Sequence, residues 1–483
     1  STEAELVEKF GSPDSATTNS FHQANFFLKY SSALQTVRVI DGTAKNAVST
    51  TGQTAAASPP AEVVKNETSF NSQLSGLDSD LHTFVAKYPG ALGNSLQVSL
   101  CPHSANDSAF TQWAYKNEFD AAPGTSDFAT KNNASNDEVH AAIIDKAGKF
   151  TGTQGTVLER YSFLSLGSNA KDGAGSNIFV KDVLNENSKY VWLIDFDSDL
   201  RGSGAGTSID SGDNFTKTTG TTNTDIDYNF SQGVDVAAIS TSNTLAGYDL
   251  FEDKDQVEID FLIAPRSISR AVNTTVVNDL VATAQSLRKD CVVVASPAQN
   301  DIVNVTSSSD IVTNTVATAD TFTKSSYLVM DGNYLKVYDK FNDQFIEIPA
   351  ASSTAGIMAA TDLNRAPWFS PAGSRRGQYL GITSISYSPT KPQRDTLYKA
   401  GVNPIANIPG AGVILFGDKT KLARPSAFDR INVRRLFLVL ERAIARAAEQ
   451  VLFEFNDEFT RAEFVNIVEP VLREVKGRRG ITD

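Results

Sequence analysis

Apolar residues return at three- and four-residue steps from Val433 through Leu436, Phe437, Leu440, Ile444, Ala447 and Ala448 to Val451 and Leu452. That spacing predicts an amphipathic helix beginning in SAFDRINVRRLFLVLERAIARAAE, Ser426 to Glu449, with one face committed to a core. The opposite face then carries Arg430, Arg434, Arg435, Arg442 and Arg446, charges that are either solvated or reserved for a partner. Upstream, QVEIDFLIAP and DCVVVASP read as buried strands, and SRAVNTTVVNDLVATAQSL between them sets Val272, Val276, Leu280 and Ala284 in helical register. Such a strand, helix, strand unit implies parallel strands and a right-handed crossover. In YLVMDGNYLKVYDKFNDQFIEIP the pairs Asp331-Gly332 and Asn342-Asp343 predict two hairpin turns. KPQRDTLYKAG reads as a short helix with Pro392 near its start and Gly401 as its stop, and GVILFGDKT as a strand.

The start of the chain has the same texture. AELVEKFG and NSFHQANFFLKYSSAL predict helices, and QTVRVID a strand with Val37 and Val39 on one face. After this the pattern changes. NAVSTTGQTAAASPPAE, with its small residues and paired prolines, marks a linker or surface loop. From Phe84 onward SLQVSL, HAAIIDKAGKF, ERYSFLSL, NIFVKDVL and KYVWLIDF read as strands between turn residues, and the polar tract 202–233 as a long exposed loop. The expected fold class is α/β, or α+β over the whole chain. Residues 1–45 and 251–483 form a discontinuous α/β domain, 46–83 a linker or reduced insertion, and 84–250 an inserted, mostly β domain.

A chain of 483 residues exceeds one ordinary core and points to several domains. Its net charge of −13 argues against nucleic-acid binding, which draws most of its affinity from Lys and Arg on phosphates. The charge is uneven: Lys421 to Asp483 holds twelve basic and ten acidic residues, an excess of +2 that leaves −15 on the rest. Two cysteines in such a chain argue against a disulfide framework, and Cys291 reads as a small apolar strand residue, so folding in a reducing cytoplasm fits. Apolar runs stay well below a membrane span of roughly 20 residues, and STEAELVEKF lacks the basic-then-apolar order of a secretion signal. Neither membrane insertion nor export by its own sequence is expected.

Tests for catalytic chemistry mostly fail. GAGVILFGDKT has Gly412 and Gly417 at phosphate-loop spacing, but Asp418 separates Gly417 from Lys419 and the residues between the glycines are apolar strand; a phosphate cradle needs an exposed loop and Lys directly after Gly. Asp195, Asp197 and Asp199 follow calcium-loop spacing, yet Leu200 stands where the loop needs Gly and Gly206 where it needs Glu, so a solvated turn is the reading. His22, His82, His103 and His140 are scattered, and CPH at Cys101 has no second half of a zinc site. GSGAGT precedes a polar tract where a dinucleotide site needs a helix, and no G-x-S-x-G elbow occurs. No cofactor, metal or catalytic residue is assigned. A carboxylate pair of glycosidase type stays open, because its members need not be close in the chain.

AFDRINVRRLF resembles the signature of the tail sheath proteins of contractile-tailed bacteriophages. FGSP, NFFLKY, LQTVRVID, YPGALGNSL, DQVEIDFLIAP, DCVVVASP, DGNYLKVYDKFND, PWFSPAG, KPQRDTLYKAGVNPI and GVILFGDKT follow in the order that family shows. The resemblance runs from Phe10 to about Arg461 and is weakest in the loops and much of the β domain. It implies a structural subunit, without enzymatic activity, that stacks as sixfold rings around a tail tube. Contraction of that array drives the tube through the host envelope. The implied partners are copies of the chain, the tube protein, and baseplate and tail terminator proteins, and the implied location is the virion tail after assembly in the host cytoplasm. The α/β domain becomes the inner, polymerising core, and the β domain an outer decoration.

On this reading Asp429, Arg430, Asn432, Arg434, Arg435, Arg442 and Arg446 are candidate subunit-interface residues, and Arg473, Lys476, Arg478 and Arg479 in VLREVKGRRG are candidate tube-facing residues. Exchanging Arg434 and Arg435 for Glu is then expected to block assembly with an unchanged melting curve. The family's N-terminal arm and C-terminal strands, which join a neighbour's sheet, have no counterpart in these residues, so this stretch is expected to be monomeric in solution. The runner-up is a carbohydrate-active or host-surface-binding tail protein with its activity in the β domain; aromatics and paired carboxylates in a cleft there would favour it.

Overall fold

Alternation and continuous apolar runs build the largest sheet. The computed structural model describes residues 2–50, 63–73, 83–216, 226–236 and 238–481. The chain divides into two units: one holds Ser1–Leu6, Pro13–Val39 and Ser240–Asp483, the other Val7–Ser12 and Ile40–Ile239.

The second unit is organised by β1 (Asn46–Thr50), β2 (Phe84–Pro89), β3 (Leu96–Pro102), β4 (Glu138–Asp145), β5 (Thr156–Ser165), β6 (Val191–Leu193) and β7 (Ile226–Ser231). They pair antiparallel in the order β5-β4-β3-β7-β1-β2-β6. Apolar groups cover both faces. Ala141 and Ile143 of β4 join Phe84, Val98 and Tyr228 in one cluster, while Ala142 and Ile144 meet Trp113 and Phe119 on the other side, so β4 is buried almost throughout and reads as a continuous apolar run.

Three expectations give way here. The tract 202–233 is no exposed loop: β7 lies inside the sheet between β3 and β1, with Ile226, Tyr228 and Phe230 buried and Asp227 and Asn229 exposed. Ahead of it, Ala205, Ile209 and Phe215 reach the core from turns at Gly204 and Gly206, both at positive φ with Phe215 and Phe196 rings against them. Scattered single apolar residues carry the burial, which a polar average conceals. Residues 217–225 lie outside the described residues, as do 51–62 of the expected linker; Asn46–Thr50 of that linker is strand β1. NIFVKDVL contributes the helix Val180–Asn187, because Val180 and Leu184 are buried at a four-residue, helical spacing.

In the first unit β8 (Phe261–Ile263), β9 (Val292–Ala295) and β10 (Leu328–Met330) form a parallel sheet. Helix Arg270–Ala282 connects β8 to β9, as its pattern predicts, and helix Ser308–Thr321 lies between β9 and β10. Ser269 and Ser307 cap these helices by accepting from Val272 and Asp310 N–H. Val276, Leu280 and Ala284 are buried as expected, while Val272 is exposed and Val277 and Val281 are buried. Val293, Ala295, Leu328 and Met330 face these helices; Val294 and Val329 face helix Ala351–Asn364 and Ile431.

Helix Ala351–Asn364 is buried on every side over 351–358, where Ala, Ser, Thr and Gly dominate, and is exposed only in its last turn. At Gly356 an added Cβ would come within 2.5 Å of the Tyr30 ring.

Turn chemistry at Asn342-Asp343 produces the expected hairpin, β11 (Tyr334–Asp339) with β12 (Gln344–Pro349), extended by β13 (Ser384–Ile385). Asp331-Gly332 makes none. Asp331 N–H donates to the Ala295 carbonyl, continuing the parallel register of β10 before the chain passes to another sheet, and an added Cβ on Gly332 would meet Val402 at 3.0 Å. QTVRVID likewise forms no strand among the described residues; Val39 packs instead on Gly247 of helix Thr241–Asp249, where a Cβ would lie 2.7 Å from its Cγ2. Helix Lys391–Lys399 starts with a capping box between Thr390 and Gln393 and ends near Gly401 at φ +74. β14 (Ile405–Ile408) and β15 (Gly412–Leu415) pair antiparallel.

Candidate functional site

The arginine helix spans Ile431–Glu449. Leu436 and Leu440 of the predicted stripe pack with Val475 of helix Glu458–Gly477. A second stripe is buried as well: Ile431, Arg434, Arg435 and Leu438, at i, i+3, i+4 and i+7. This corrects the expectation that Arg434 and Arg435 stand on a free face, for they are only 9 and 5% exposed.

Each has internal partners that remove the cost of burial. The Arg434 guanidinium lies between the rings of Tyr327 and Phe428, 4.4 and 4.2 Å from their centres, and its Nε and Nη2 donate to Ser326 Oγ at 3.0 and 2.7 Å. Arg435 is ion-paired to Asp362 on helix Ala351–Asn364 and stacks on Phe261 at 4.9 Å.

The remaining candidates also turn toward their own chain. Arg430 Nη1 donates to Asp418 Oδ1 at 2.9 Å and to Tyr398 OH, and Asp429 Oδ1 sits 3.4 Å from Arg430 Nε. The Asp418 hydrogen bond holds the Arg430 guanidinium above its usual range. Asn432 Nδ2 donates to the Trp368 carbonyl at 3.3 Å. Further along, Arg442 bridges Glu258 and Asp260 at 3.5 and 3.0 Å, and Arg446 meets Glu258 at 2.8 Å. The cluster therefore acts as a row of clasps, fastening the helix to the edge of β8, to helix Ala351–Asn364 and to the 398–418 region. Sequence spacing marks the arginines but not most of their acids: Asp362, Glu258 and Asp260 lie far away in the chain.

Arg473, Lys476, Arg478 and Arg479 are all exposed at the end of helix Glu458–Gly477. Arg473 pairs with Glu469 and Arg478 with Glu474, each one turn apart; such exposed pairs contribute about 0.3–0.5 kcal/mol. The structure also exposes Phe453, Phe455 and Phe459, which the sequence reading passed over although LFEFNDEF alternates aromatic with acidic and polar residues.

Chemistry-bearing residues elsewhere have structural duties. Asp418 and Lys419, from the rejected phosphate motif, hold Arg430 and the Tyr398 carbonyl. Asp197 accepts from Leu200 N–H and Tyr228 OH, and Asp195 pairs with Arg201; the Asp199 side chain and His82 lie outside the described residues. In the second unit Asp137 accepts from Ser126 and Ser165, Asp145 from Ser95 and the amides of 149–151, and both are fully buried. His140 stacks on Phe119 at 4.6 Å, and burial lowers its pKa. His22 is buried 3.2 Å from Asp339. Cys101 and Cys291 are buried thiols outside any disulfide, and burial pushes Cys291 up to about 12. Among the described residues no group of three His, Cys, Asp or Glu could hold a metal, and no helix is long and apolar enough to cross a membrane.

Residues 237–421 match the family model of the phage tail sheath protein central domain. The chain carries a tail sheath central domain. This sheath domain takes in β8 to β15 and ends before the arginine helix begins at Ile431. The tail sheath protein of Vibrio phage KVP40 is 31% identical over 82% of the chain, which spans 58% of that relative's length. The tail sheath protein of Salmonella phage ViI is 27% identical over 100% of the chain and 82% of the relative. A crystal structure of a sheath tail protein from Desulfitobacterium hafniense covers 97% of this chain and 81% of its own, at 14% identity and a TM-score of 0.46.

Proposed function

We propose that the protein is a structural subunit of a contractile tail sheath, stacking as sixfold rings around the tail tube and contracting to drive the tube through the host envelope. The sheath central domain at 237–421 carries this reading. Among the described residues of the second unit the two fully buried carboxylates, Asp137 and Asp145, are each engaged by hydroxyl and amide donors, which suits a structural role for them. The partners on this reading are copies of the chain, the tube, and the baseplate and tail terminator proteins, within a virion tail assembled in the host cytoplasm. The first unit forms the inner, polymerising body, and the second decorates the outside.

Contacts between copies fall to charges that keep an exposed side. Arg446 and Arg430, with side chains 65 and 42% exposed, serve that role better than Arg434 and Arg435. Arg473, exposed near the end of helix Glu458–Gly477, faces the tube. Each exposed pair is worth about 0 to 1 kcal/mol, so register and orientation come from many weak contacts repeated along the array.

Negative-stain microscopy of the full-length protein mixed with its tube tests the proposal. Sheathed tubes, or hollow polysheaths without tube, are expected; single particles beside bare tubes under every condition would refute it.

A further inference from the structure

Between the two C-terminal helices the chain presents apolar surface of a kind that soluble proteins normally cover. Phe453, Phe455 and Phe459 are 96, 85 and 79% exposed. They alternate with acids: Glu454 and Glu458 are exposed, as is Glu463 a turn later. The other end of helix Glu458–Gly477 is basic, with Lys476, Arg478 and Arg479 exposed. Apolar surface is present there too. Arg478 stacks on Trp368 at 5.4 Å and donates to the Arg365 carbonyl, two residues beyond Leu363, which is 74% exposed.

We propose that the aromatic, acidic tip of one copy docks on the basic end of the same helix in a second copy. The two surfaces are opposite in charge, and each has apolar groups beside its charges. A helix of 20 residues is about 30 Å long, so a tip reaches the basic end of a neighbour and never its own. The contact is heterologous: each copy uses one surface on each of two neighbours, which generates a ring or an open filament. Three phenylalanines cover about 150–250 Å² each, less than the roughly 800 Å² per partner of a stable interface. A single contact is therefore weak and gains strength only by repetition. The choice of a second copy as occupant rests on the proposed sheath function. It assigns Lys476, Arg478 and Arg479 to a neighbour and leaves Arg473 for the tube.

Sedimentation of the full chain at rising concentration tests the contact, with unchanged melting as the check on folding. Mass is expected to grow with concentration, against the monomer expected from the sequence. Reversing the tip with Glu454→Lys and Glu458→Lys, or the end with Lys476→Glu and Arg479→Glu, should each weaken association at least tenfold. Joining both reversals in one chain should restore it. A mass fixed at one chain at every concentration, single reversals without effect, or a combined variant that stays apart would each overturn the contact. Microscopy with tube separates the two proposals: sheaths that form regardless of the reversals sink this contact alone, whereas absence of sheath from the wild-type protein sinks the function.

Discussion

Replacing Arg435 by Met keeps much of the side chain's apolar bulk and removes its charge. The structure then leaves Asp362, whose side chain is 24% exposed, without its cation. Breaking one half of such a pair costs about 3–5 kcal/mol, a large share of the roughly 5–15 kcal/mol that holds a folded domain together. Burial already keeps the Asp362 carboxyl above its usual range with Arg435 beside it, and without the arginine it moves higher still. A carboxyl whose folded pKa is raised binds its proton more tightly in the native state, so the stability it contributes is present at low pH and lost as pH rises through the folded value. The variant should therefore lose more at about pH 8 than at about pH 5. Urea unfolding of Arg435→Met, Asp362→Asn and the double variant closes a mutant cycle, and the double variant should recover most of the loss. A single-variant loss below about 1 kcal/mol, or a cycle with no coupling, would refute the clasp. The exchange of Arg434 and Arg435 for Glu, expected from sequence to spare the fold, should instead unfold it, because it sets one new carboxylate against Asp362 and buries another between Tyr327 and Phe428.

Arg434→Lys should cost about 1–3 kcal/mol in the same assay, since an ammonium cannot fill the slot between Tyr327 and Phe428 and also satisfy Ser326. Burial pushes Asp331 up to about 7 despite hydrogen bonds from Ser296 and Thr354; its folded pKa lies above the unfolded one, so native stability falls as pH rises between about 4 and 7, and Asp331→Asn should remove up to about 4 kcal/mol of that dependence. Burial, with Lys324 nearby, pushes Lys421 down to about 7. The unfolded chain then binds the extra proton, stability rises from about pH 7 to 10.5, and Lys421→Met should be most advantageous below that window; a pH-independent difference in either variant would contradict the burial argument. Gly356→Ala should lose about 1–3 kcal/mol through overpacking, because Tyr30 is anchored by accepting from the Leu380 N–H at 2.6 Å and cannot withdraw; an unchanged melting curve would show that it can.

Much of the first unit was legible because its signals are local. Buried valines set β9, the spacing of Val276, Leu280 and Ala284 set one face of its crossover helix, and Asn342-Asp343 set a hairpin. What escaped depended on distant partners. Periodicity could not report that Arg434 and Arg435 find Ser326 and Asp362, so they passed for surface charges. β7 was hidden by polar flanks although Ile226, Tyr228 and Phe230 alternate cleanly, and Asp331-Gly332 has hairpin chemistry that a parallel neighbour overrides. Of the candidate site, the arginine positions were visible, their acids were not, and the aromatic tip was visible but unread.

The stretch 351–358 of helix Ala351–Asn364 is buried throughout and has no outward surface on which substitutions could accumulate harmlessly. Its amides reach water only when the surrounding body opens. Deuterium uptake along those eight residues would therefore gauge how far a rearranging assembly moves its parts as rigid pieces before any of them begins to melt.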